Sequence, residues 1–205
     1  MIKLFYATGS CALASHIALE EAGADYKAER LNLKANDQRR PEYLKINPKG
    51  RVPALVGDHG ILTETPAILA WIAQSYPAAK LIPADPWGFA QVQSFNSYLC
   101  STVHVAHAHG GRGTRWADDP VALEAMKKKV TPNMADCFAL IEREMVRGPW
   151  VLGDAYSIAD PYLYTISGWL KADSVDVAQF PKVAAHRAKM EARPAVQRVL
   201  AAENA

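Results

Sequence analysis

The chain has 205 residues, of which 50% are hydrophobic and 21% are charged, a composition typical of a compact globular protein and not of a disordered one. Its 23 basic and 21 acidic residues are spread along the chain and give a net charge of +2, which argues against nucleic acid as a partner. The three cysteines are odd in number and far apart, and no apolar run approaches the ~20 residues of a membrane span, so we expect a cytoplasmic protein with no membrane partner.

The N-terminal part of the chain predicts a βαβ unit. Strand formers from Ile2 to Tyr6 are followed by a turn with a candidate N-cap, Ser10. A helix is then predicted from Cys11 to Ala22, with Gly23 as its C-terminal stop. Residues Tyr26 to Leu33 form a weak strand pattern. The two strands of such a unit run parallel.

A hairpin and a second helix complete this layer. A short irregular helix is expected around Glu42–Ile46. The strand-like runs Val52–Val56 and Ile61–Thr63 flank a glycine-containing turn, which is typical of a β-hairpin. Thr65 is a predicted N-cap with proline at the first helical position, and the helix runs to about Ser75.

The rest of the chain has a helical pattern. One long helix is predicted to end at Gly110, and another ends at Gly148 and is kinked or shortened by Pro132. Ser157 and Asp160 match a capping box that opens a buried helix. The prolines at the junction mark a linker, so we predict an α/β domain at 1–77, a linker at 78–87 and an all-helical domain at 88–205.

Cys11 is the strongest candidate for chemistry. It lies at the start of a predicted helix, where backbone N–H groups converge and favour a thiolate over a thiol. The alternative is a buried cysteine that acts as a small hydrophobe. Cys100 and Cys137 lie inside predicted helices beside apolar neighbours and are interpreted in that way.

Two further features favour a peptide-like ligand. If the Val52–Pro53 bond is cis, the N–H and C=O of Val52 point outward and can pair with an extended peptide, although Pro53 also fits a simple strand start. Glu64 and Thr65 place a carboxylate and a hydroxyl at a helix N-terminus. Glu64 suits an ammonium and Thr65 a carboxylate of one ligand, although a Thr-Pro cap also occurs for structural reasons.

Three histidines, His104, His107 and His109, cluster near the end of the first long helix. A zinc site is one interpretation, but no carboxylate or cysteine at helical spacing completes a ligand set. We therefore predict no metal. A cleft histidine that hydrogen-bonds a substrate or exchanges a proton is the preferred interpretation.

Motifs along nearly the whole chain point to one known family. KLFY precedes a helix opened by cysteine, NPKGRVPAL and TETPAI follow, and the helical half contains SYLCSTVH, WVLGDAYSIADPYLYTISGW and MEARPAVQRVL. In this order and spacing they resemble the glutathione transferases, specifically the bacterial beta class. The resemblance implies a thioredoxin-like N-terminal domain, a helical C-terminal domain and a homodimer. It also implies glutathione as co-substrate, with no other cofactor, in a cleft between the domains.

The resemblance also implies roles for individual residues. Cys11, which faces the glutathione sulfur, and His104, a contact from the helical domain, are the candidate catalytic residues. Trp169 lines the cleft in a structural role, and Tyr6 is a secondary candidate whose position inside a strand favours packing. The candidate glutathione-binding residues are Cys11, Lys34, Arg51, Val52, Pro53, Glu64, Thr65, Ser97 and His104.

The chain departs from the beta-class pattern at several positions. Lys34 is the best match for a family lysine, and Arg51 stands where glutamine is common. Val105 replaces a frequent lysine, and Ser97 replaces an asparagine that reaches the partner subunit's glutathione. These departures predict weaker glutathione binding or a changed second substrate.

The leading functional hypothesis is a detoxifying enzyme that conjugates glutathione to hydrophobic electrophiles, with thiol-disulfide exchange through Cys11 as a second activity. A non-catalytic relative that binds glutathione, hydrophobic ligands or another protein is the alternative. Retention of Cys11, Glu64 and Thr65 argues against it.

Overall fold

The computed structural model describes residues 1–204 and begins with a four-stranded sheet. β1 (Ile2–Tyr6) pairs in parallel with β2 (Tyr26–Arg30) and antiparallel with β3 (Ala54–Gly57). β4 (Gly60–Thr63) pairs antiparallel with β3, which gives the strand order β2-β1-β3-β4. The predicted parallel βαβ unit and the hairpin are therefore both present.

Three helices accompany the sheet: α1 (Ala12–Glu21), α2 (Pro41–Leu44) and α3 (Thr65–Ser75). The second strand is shorter than predicted, because Asn32 ends it. The Asn32 side chain accepts hydrogen bonds from two backbone N–H groups of the 3-10 turn Leu33–Ala35, so the backbone turns away from the sheet.

Helices make up the second half of the chain. A π-helical turn of five residues joins α4 to α5, and another extends α6. The helices are α4 (Pro86–Tyr98), α5 (His104–Gly111), α6 (Pro120–Leu140), α7 (Ala159–Ser167), α8 (Pro181–Glu191) and α9 (Pro194–Asn204). This architecture confirms the predicted fold class. The predicted linker, 78–87, overlaps a short 3-10 turn and the first residues of α4.

Pro132 was predicted to kink or shorten its helix, and the structure excludes the shortening. Helix α6 continues through Pro132 for 21 residues and is not shortened. Pro132 is exposed, so water reaches the carbonyl that its missing N–H leaves unpaired. Val130, Met134 and Phe138 hold the opposite face of the helix in the core.

The predicted capping box is present at the start of α7. The Ser157 N–H donates to Asp160 Oδ2 at 2.7 Å, and Ser157 Oγ accepts from the Ala159 N–H at 3.2 Å. The helix that follows is buried along its whole length. The cap therefore fixes the start of a helix that lies in the centre of the molecule.

The largest of three hydrophobic clusters spans both halves of the chain. It contains Leu4 of the sheet, Leu69 of α3, and Val92, Phe138 and Tyr162 of the helical half. Helices α1 and α3 pack against this helical half, with α1 beside α7 and α9 and α3 beside α4. The loops that end β1 and precede β3 thereby face α5 across a cleft. Among residues 1–204, no helix has both the length and the apolar character that crossing a membrane requires.

Candidate functional site

A cleft of about 400 Å³ lies where the two halves meet. It contains the β1–α1 turn, the loop before β3, one face of α5 and the segment after α5. Its principal lining residues are Gly9, Cys11, Arg39, Arg51, Val52, His104, His107, Arg112, Arg115 and Trp169. A cavity of about 460 Å³ near Trp71 and Tyr76 is larger, but no cysteine lines it. Because it contains Cys11, the cleft is the better candidate for the functional site.

Cys11 lies on the wall of this cleft, immediately before α1. Its Sγ donates a hydrogen bond to the Val52 carbonyl, with the two atoms 3.6 Å apart. The first N–H groups of α1 already have other acceptors. Ser10 Oγ accepts from the Ala12 N–H, and the Ser10 and Cys11 carbonyls accept from the next two residues. The helix start therefore directs fewer donors at the thiol than the sequence suggests.

The electrostatic environment of Cys11 differs from the predicted one. Burial raises the pKa of the thiol, and the Thr65 side chain and the Arg112 charge lower it by less. The prediction that the helix start makes Cys11 a thiolate was therefore wrong for this structure. Because the pKa of Cys11 is raised, its thiol is protonated at neutral pH, in agreement with its hydrogen bond to the Val52 carbonyl.

The loop before β3 holds the acceptor for that thiol. The Val52–Pro53 peptide bond is cis, as the sequence interpretation required. The Arg51 carbonyl accepts hydrogen bonds from the Tyr43 hydroxyl at 2.6 Å and from Asn47 Nδ2 at 2.7 Å, which fixes the loop. Arg51 and Val52 line the cleft, while Pro53 is buried behind them.

The Glu64–Thr65 pair lies at the start of α3. Glu64, not Thr65, is the N-cap residue, and α3 begins at Thr65, which corrects the predicted boundary. The Glu64 backbone has φ of 75°, a left-handed conformation that is uncommon for glutamate. Its exposed carboxylate forms an ion pair with Lys49, which also donates to Thr63. Thr65 is buried, and its side chain lowers the pKa of the Cys11 thiol, so Thr65 adjoins the cysteine.

His104 and Trp169 form the opposite wall of the cleft. The His104 ring meets the edge of Trp169 at a centroid distance of 4.8 Å, and Trp169 Nε1 donates to the Gly9 carbonyl at 3.0 Å. Burial lowers the pKa of His104 to about 3, and Arg112 is the next largest cause. At neutral pH His104 is therefore an uncharged imidazole, able to donate one hydrogen bond and accept another.

The other two histidines have partners of their own. His107 stacks on Trp169 with centroids 4.4 Å apart, and its Nδ1 lies 2.8 Å from an Asp173 oxygen. His109 stacks on Trp116 at 4.2 Å. Within the described part of the chain, no group of three or more His, Cys, Asp or Glu residues is arranged to hold a metal ion.

Four arginines also line the cleft: Arg39, Arg51, Arg112 and Arg115. The Nε and Nη2 atoms of Arg112 are buried, and within residues 1–204 they have no hydrogen-bond partner. Positive charges thus surround the neutral His104, and their proximity lowers its pKa further. The positive charge of the cleft therefore favours an anionic ligand.

Comparisons with known proteins agree with this geometry. The glutathione S-transferase N-terminal domain model matches residues 1–74, and the C-terminal domain model matches residues 107–194. The chain belongs to the glutathione S-transferase family. It is 32% identical to glutathione S-transferase GstA of Escherichia coli O157:H7 over 205 residues, 98% of each chain.

Solved structures extend the likeness. A glutathione transferase homologue from Sulfitobacter with bound glutathione is 44% identical, with a TM-score of 0.96 over 98% of each chain. A bacterial beta-class glutathione S-transferase from Sphingomonas chungbukensis is 32% identical, with a TM-score of 0.86 over 98% of each chain. The predictions of a glutathione transferase and of its beta-class resemblance are confirmed.

The structure brings some of the predicted residues of this transferase together and leaves others apart. Cys11, Arg51, Val52, His104 and Trp169 share the cleft, and Thr65 reaches Cys11 from behind. The predicted residues outside the cleft lining are Lys34, Glu64 and Ser97, which are exposed, Pro53 and Thr65, which are buried, and Tyr6, which is buried in the core and packs its ring 5.1 Å from His16. Their binding roles stay predictions.

Sequence reasoning missed Arg39, Arg112 and Arg115 in this transferase. Arg112 and Arg115 follow α5 in a segment with no helical period, so no pattern placed them in the cleft. One signal was available: two of the missed arginines, Arg39 and Arg115, lie in short turns of the chain. Charged loop residues beside a candidate site are where binding groups are most often found.

Proposed function

We propose that this transferase conjugates glutathione to small electrophiles in the cleft, with the glutathione sulfur beside Cys11. The observation that carries the proposal is the contact between Cys11 Sγ and the Val52 carbonyl, on the cleft wall that faces His104 and Trp169 of the helical half. The proposed binding path runs from the start of α3 past the Cys11 thiol to the backbone segment held by Tyr43 and Asn47. An extended peptide with a central thiol fits that path.

The ends of glutathione find complementary charges on this path. Its γ-glutamyl end, with an ammonium and a carboxylate, suits Glu64, Thr65 and the free N–H groups of α3. Lys49 now pairs with Glu64 and supplies a second charge at that end. The glycine carboxylate then lies toward Arg51 and the turn that carries Lys34. Pro53 supports this path from behind, and Ser97 is proposed as a contact to the partner's glutathione.

The catalytic step follows from the protonation states. A protonated Cys11 donates a hydrogen bond to the glutathione thiolate, and the Arg112 charge stabilises the same anion. The thiolate forms a carbon–sulfur bond with the electrophile, and the leaving group departs with its electron pair. His104 is neutral and positions the reacting groups through a hydrogen bond.

Conjugation is tested with a chlorodinitrobenzene and glutathione at neutral pH. We expect His104→Ala to lower kcat by about tenfold, the loss of one hydrogen bond, while the Kd for glutathione by calorimetry changes less. Cys137→Ala, which changes a cysteine outside the cleft, is the matched control for the Cys11→Ala variant in the disulfide-exchange experiment below. A parent protein that is folded but neither binds glutathione nor turns over would support the non-catalytic alternative.

A second candidate activity is thiol-disulfide exchange, favoured by the position of Cys11 in the cleft wall. Cys11 gives its proton to water, and its sulfur attacks one sulfur of oxidised glutathione. The bond between the two glutathione sulfurs breaks, a mixed disulfide forms at Cys11, and one glutathione leaves as a thiolate. Intact-mass measurement after exposure to oxidised glutathione is the test. The parent is expected to gain one adduct that a reductant removes, and Cys11→Ala is expected to gain none. An adduct that persists in Cys11→Ala refutes this activity for Cys11.

Three wider features belong to the same proposal: a homodimer, a cytoplasmic location and a role in detoxification. The family resemblance supports the dimer, and light scattering after size exclusion tests it. The expected mass is twice the 22.4 kDa of the chain. A mass of one chain at micromolar concentration would remove the proposed contact of Ser97 with a partner's glutathione.

A further inference from the structure

The four cleft arginines carry more positive charge than glutathione neutralises. Within residues 1–204, no carboxylate forms an ion pair with Arg39, Arg51, Arg112 or Arg115. Glutathione brings a carboxylate at each end and one sulfur anion, against one ammonium. One of its carboxylates lies at the start of α3 in the proposed pose, outside the arginine cluster. Positive charge therefore remains in the cleft when glutathione is bound.

Arg112 shows where that charge is concentrated. Two of its nitrogens are buried without a hydrogen-bond partner, which is costly for a guanidinium. Arg112 follows α5 and acts electrostatically on both Cys11 and His104. Arg112 also lines the same cleft as Cys11 and His104, on the side formed by the helical half.

The wall next to Arg112 adds shape to this charge. Trp169 lies between His104 and His107, with the His107 ring stacked against it at an interplanar angle of 24°. Trp169 thus offers a flat aromatic surface in the same cleft as the partly buried Arg112. A planar electrophile with an acidic group matches both features.

We propose that the electrophilic substrate of this transferase carries a carboxylate, which Arg112 binds with the help of Arg115. The inference rests on the proposed conjugation and narrows the hydrophobic electrophile expected from sequence to a carboxylate-bearing one. The carboxylate takes the two unpartnered donors of Arg112, and the apolar part of the substrate lies on Trp169.

A matched pair of substrates tests the proposal: 4-chloro-3-nitrobenzoate and its neutral amide, 4-chloro-3-nitrobenzamide. Both lose chloride to glutathione and differ in charge. The measured quantity is the ratio of kcat/KM for the benzoate to that for the amide, each divided by its uncatalysed rate with glutathione. We expect a ratio of about ten or more in the parent protein, falling to near unity in Arg112→Gln, the effect of one charge-assisted hydrogen bond.

Arg143→Gln is the matched control, because Arg143 is exposed and pairs with Glu144 away from the cleft. It is expected to keep the parent ratio. A parent ratio near unity, or equal loss of both activities in Arg112→Gln, overturns the proposal. Arg115→Gln is the second variant should Arg112→Gln not fold, and it is expected to lower the ratio in the same direction. An unchanged ratio in Arg115→Gln then counts against the proposal.

Binding separates failure of this inference from failure of the proposed function. The two product conjugates are titrated into the protein by calorimetry, and the carboxylate conjugate is expected to bind about tenfold more tightly. Added salt is expected to reduce that preference. Equal binding of the two conjugates overturns the carboxylate proposal alone. Absence of binding by glutathione and both conjugates overturns the proposed function as well.

Discussion

Replacement of Asp160 by asparagine tests how strongly the capping box holds the centre of the molecule. The Asp160 side chain is fully buried. One carboxylate oxygen accepts from the Val151 N–H at 2.8 Å and lies 3.0 Å from His186 Nε2. The other accepts from the Ser157 N–H at 2.7 Å. Three elements of the helical half thus meet at one carboxylate.

The magnitude follows from these contacts. In Asp160→Asn an amide NH₂ replaces one carboxylate oxygen and faces the N–H group that this oxygen accepted from. One charge-assisted hydrogen bond, worth about 1.5–3 kcal/mol, is therefore lost. The remaining bonds lose their charge assistance. We expect the free energy of unfolding to fall by about 3–5 kcal/mol, the range for disruption of a buried charged network. For a chain of this length the melting temperature falls by roughly 6–20 °C.

Urea and thermal unfolding followed by circular dichroism measure the change at neutral pH. Asp154→Asn is the matched control, because Asp154 is exposed in the loop before the same helix. It is expected to alter the free energy of unfolding by less than about 0.5 kcal/mol. A loss below about 1 kcal/mol in Asp160→Asn would refute the view that this carboxylate fixes the start of α7.

Two further predictions concern protonation in the cleft. An NMR titration of the His104 ring is expected to give a midpoint of about 3, far below the ordinary 6.5, and Arg112→Gln is expected to raise that midpoint because it removes a positive charge; a midpoint near 6.5 in the parent contradicts the described burial. The rate of Cys11 alkylation by iodoacetamide, followed by peptide mass, is expected to keep rising through pH 9.0, because burial raises the pKa of the thiol. An alkylation rate that levels off below pH 7 would contradict a raised pKa of the Cys11 thiol.

Features with local causes were predictable from sequence. Hydrophobic period and glycine stops placed α1, and the turn between β3 and β4 follows from its glycines. The Ser157–Asp160 cap is a short-range motif, and the structure has it where the sequence indicated. In each case the residues that determine the feature lie within a few positions of one another, so tertiary packing did not change the outcome.

The charge state of Cys11 was not predictable in the same way. The sequence showed a helix start, which favours a thiolate, but not the packing of the helical half against the cleft. That packing buries the thiol, and burial outweighs both the helix start and Arg112. The relative size of these opposing effects depends on side chains more than a hundred residues apart in the chain, from Cys11 to Arg112.

The pKa of Cys11 is raised and that of His104 is lowered, and these opposite shifts explain which ligand charge the cleft favours. Burial disfavours the charged form of both groups, so the free protein keeps a neutral thiol and a neutral imidazole. Arg112 separates them, because its positive charge lowers both pKa values and thus favours an anion at the sulfur while it opposes a cation on the histidine. The positive charge of Arg112 therefore stabilises a bound thiolate. His104 is neutral, so it adds no second positive charge beside that thiolate. The same field that stabilises the nucleophile attracts any further anion that reaches the helical side.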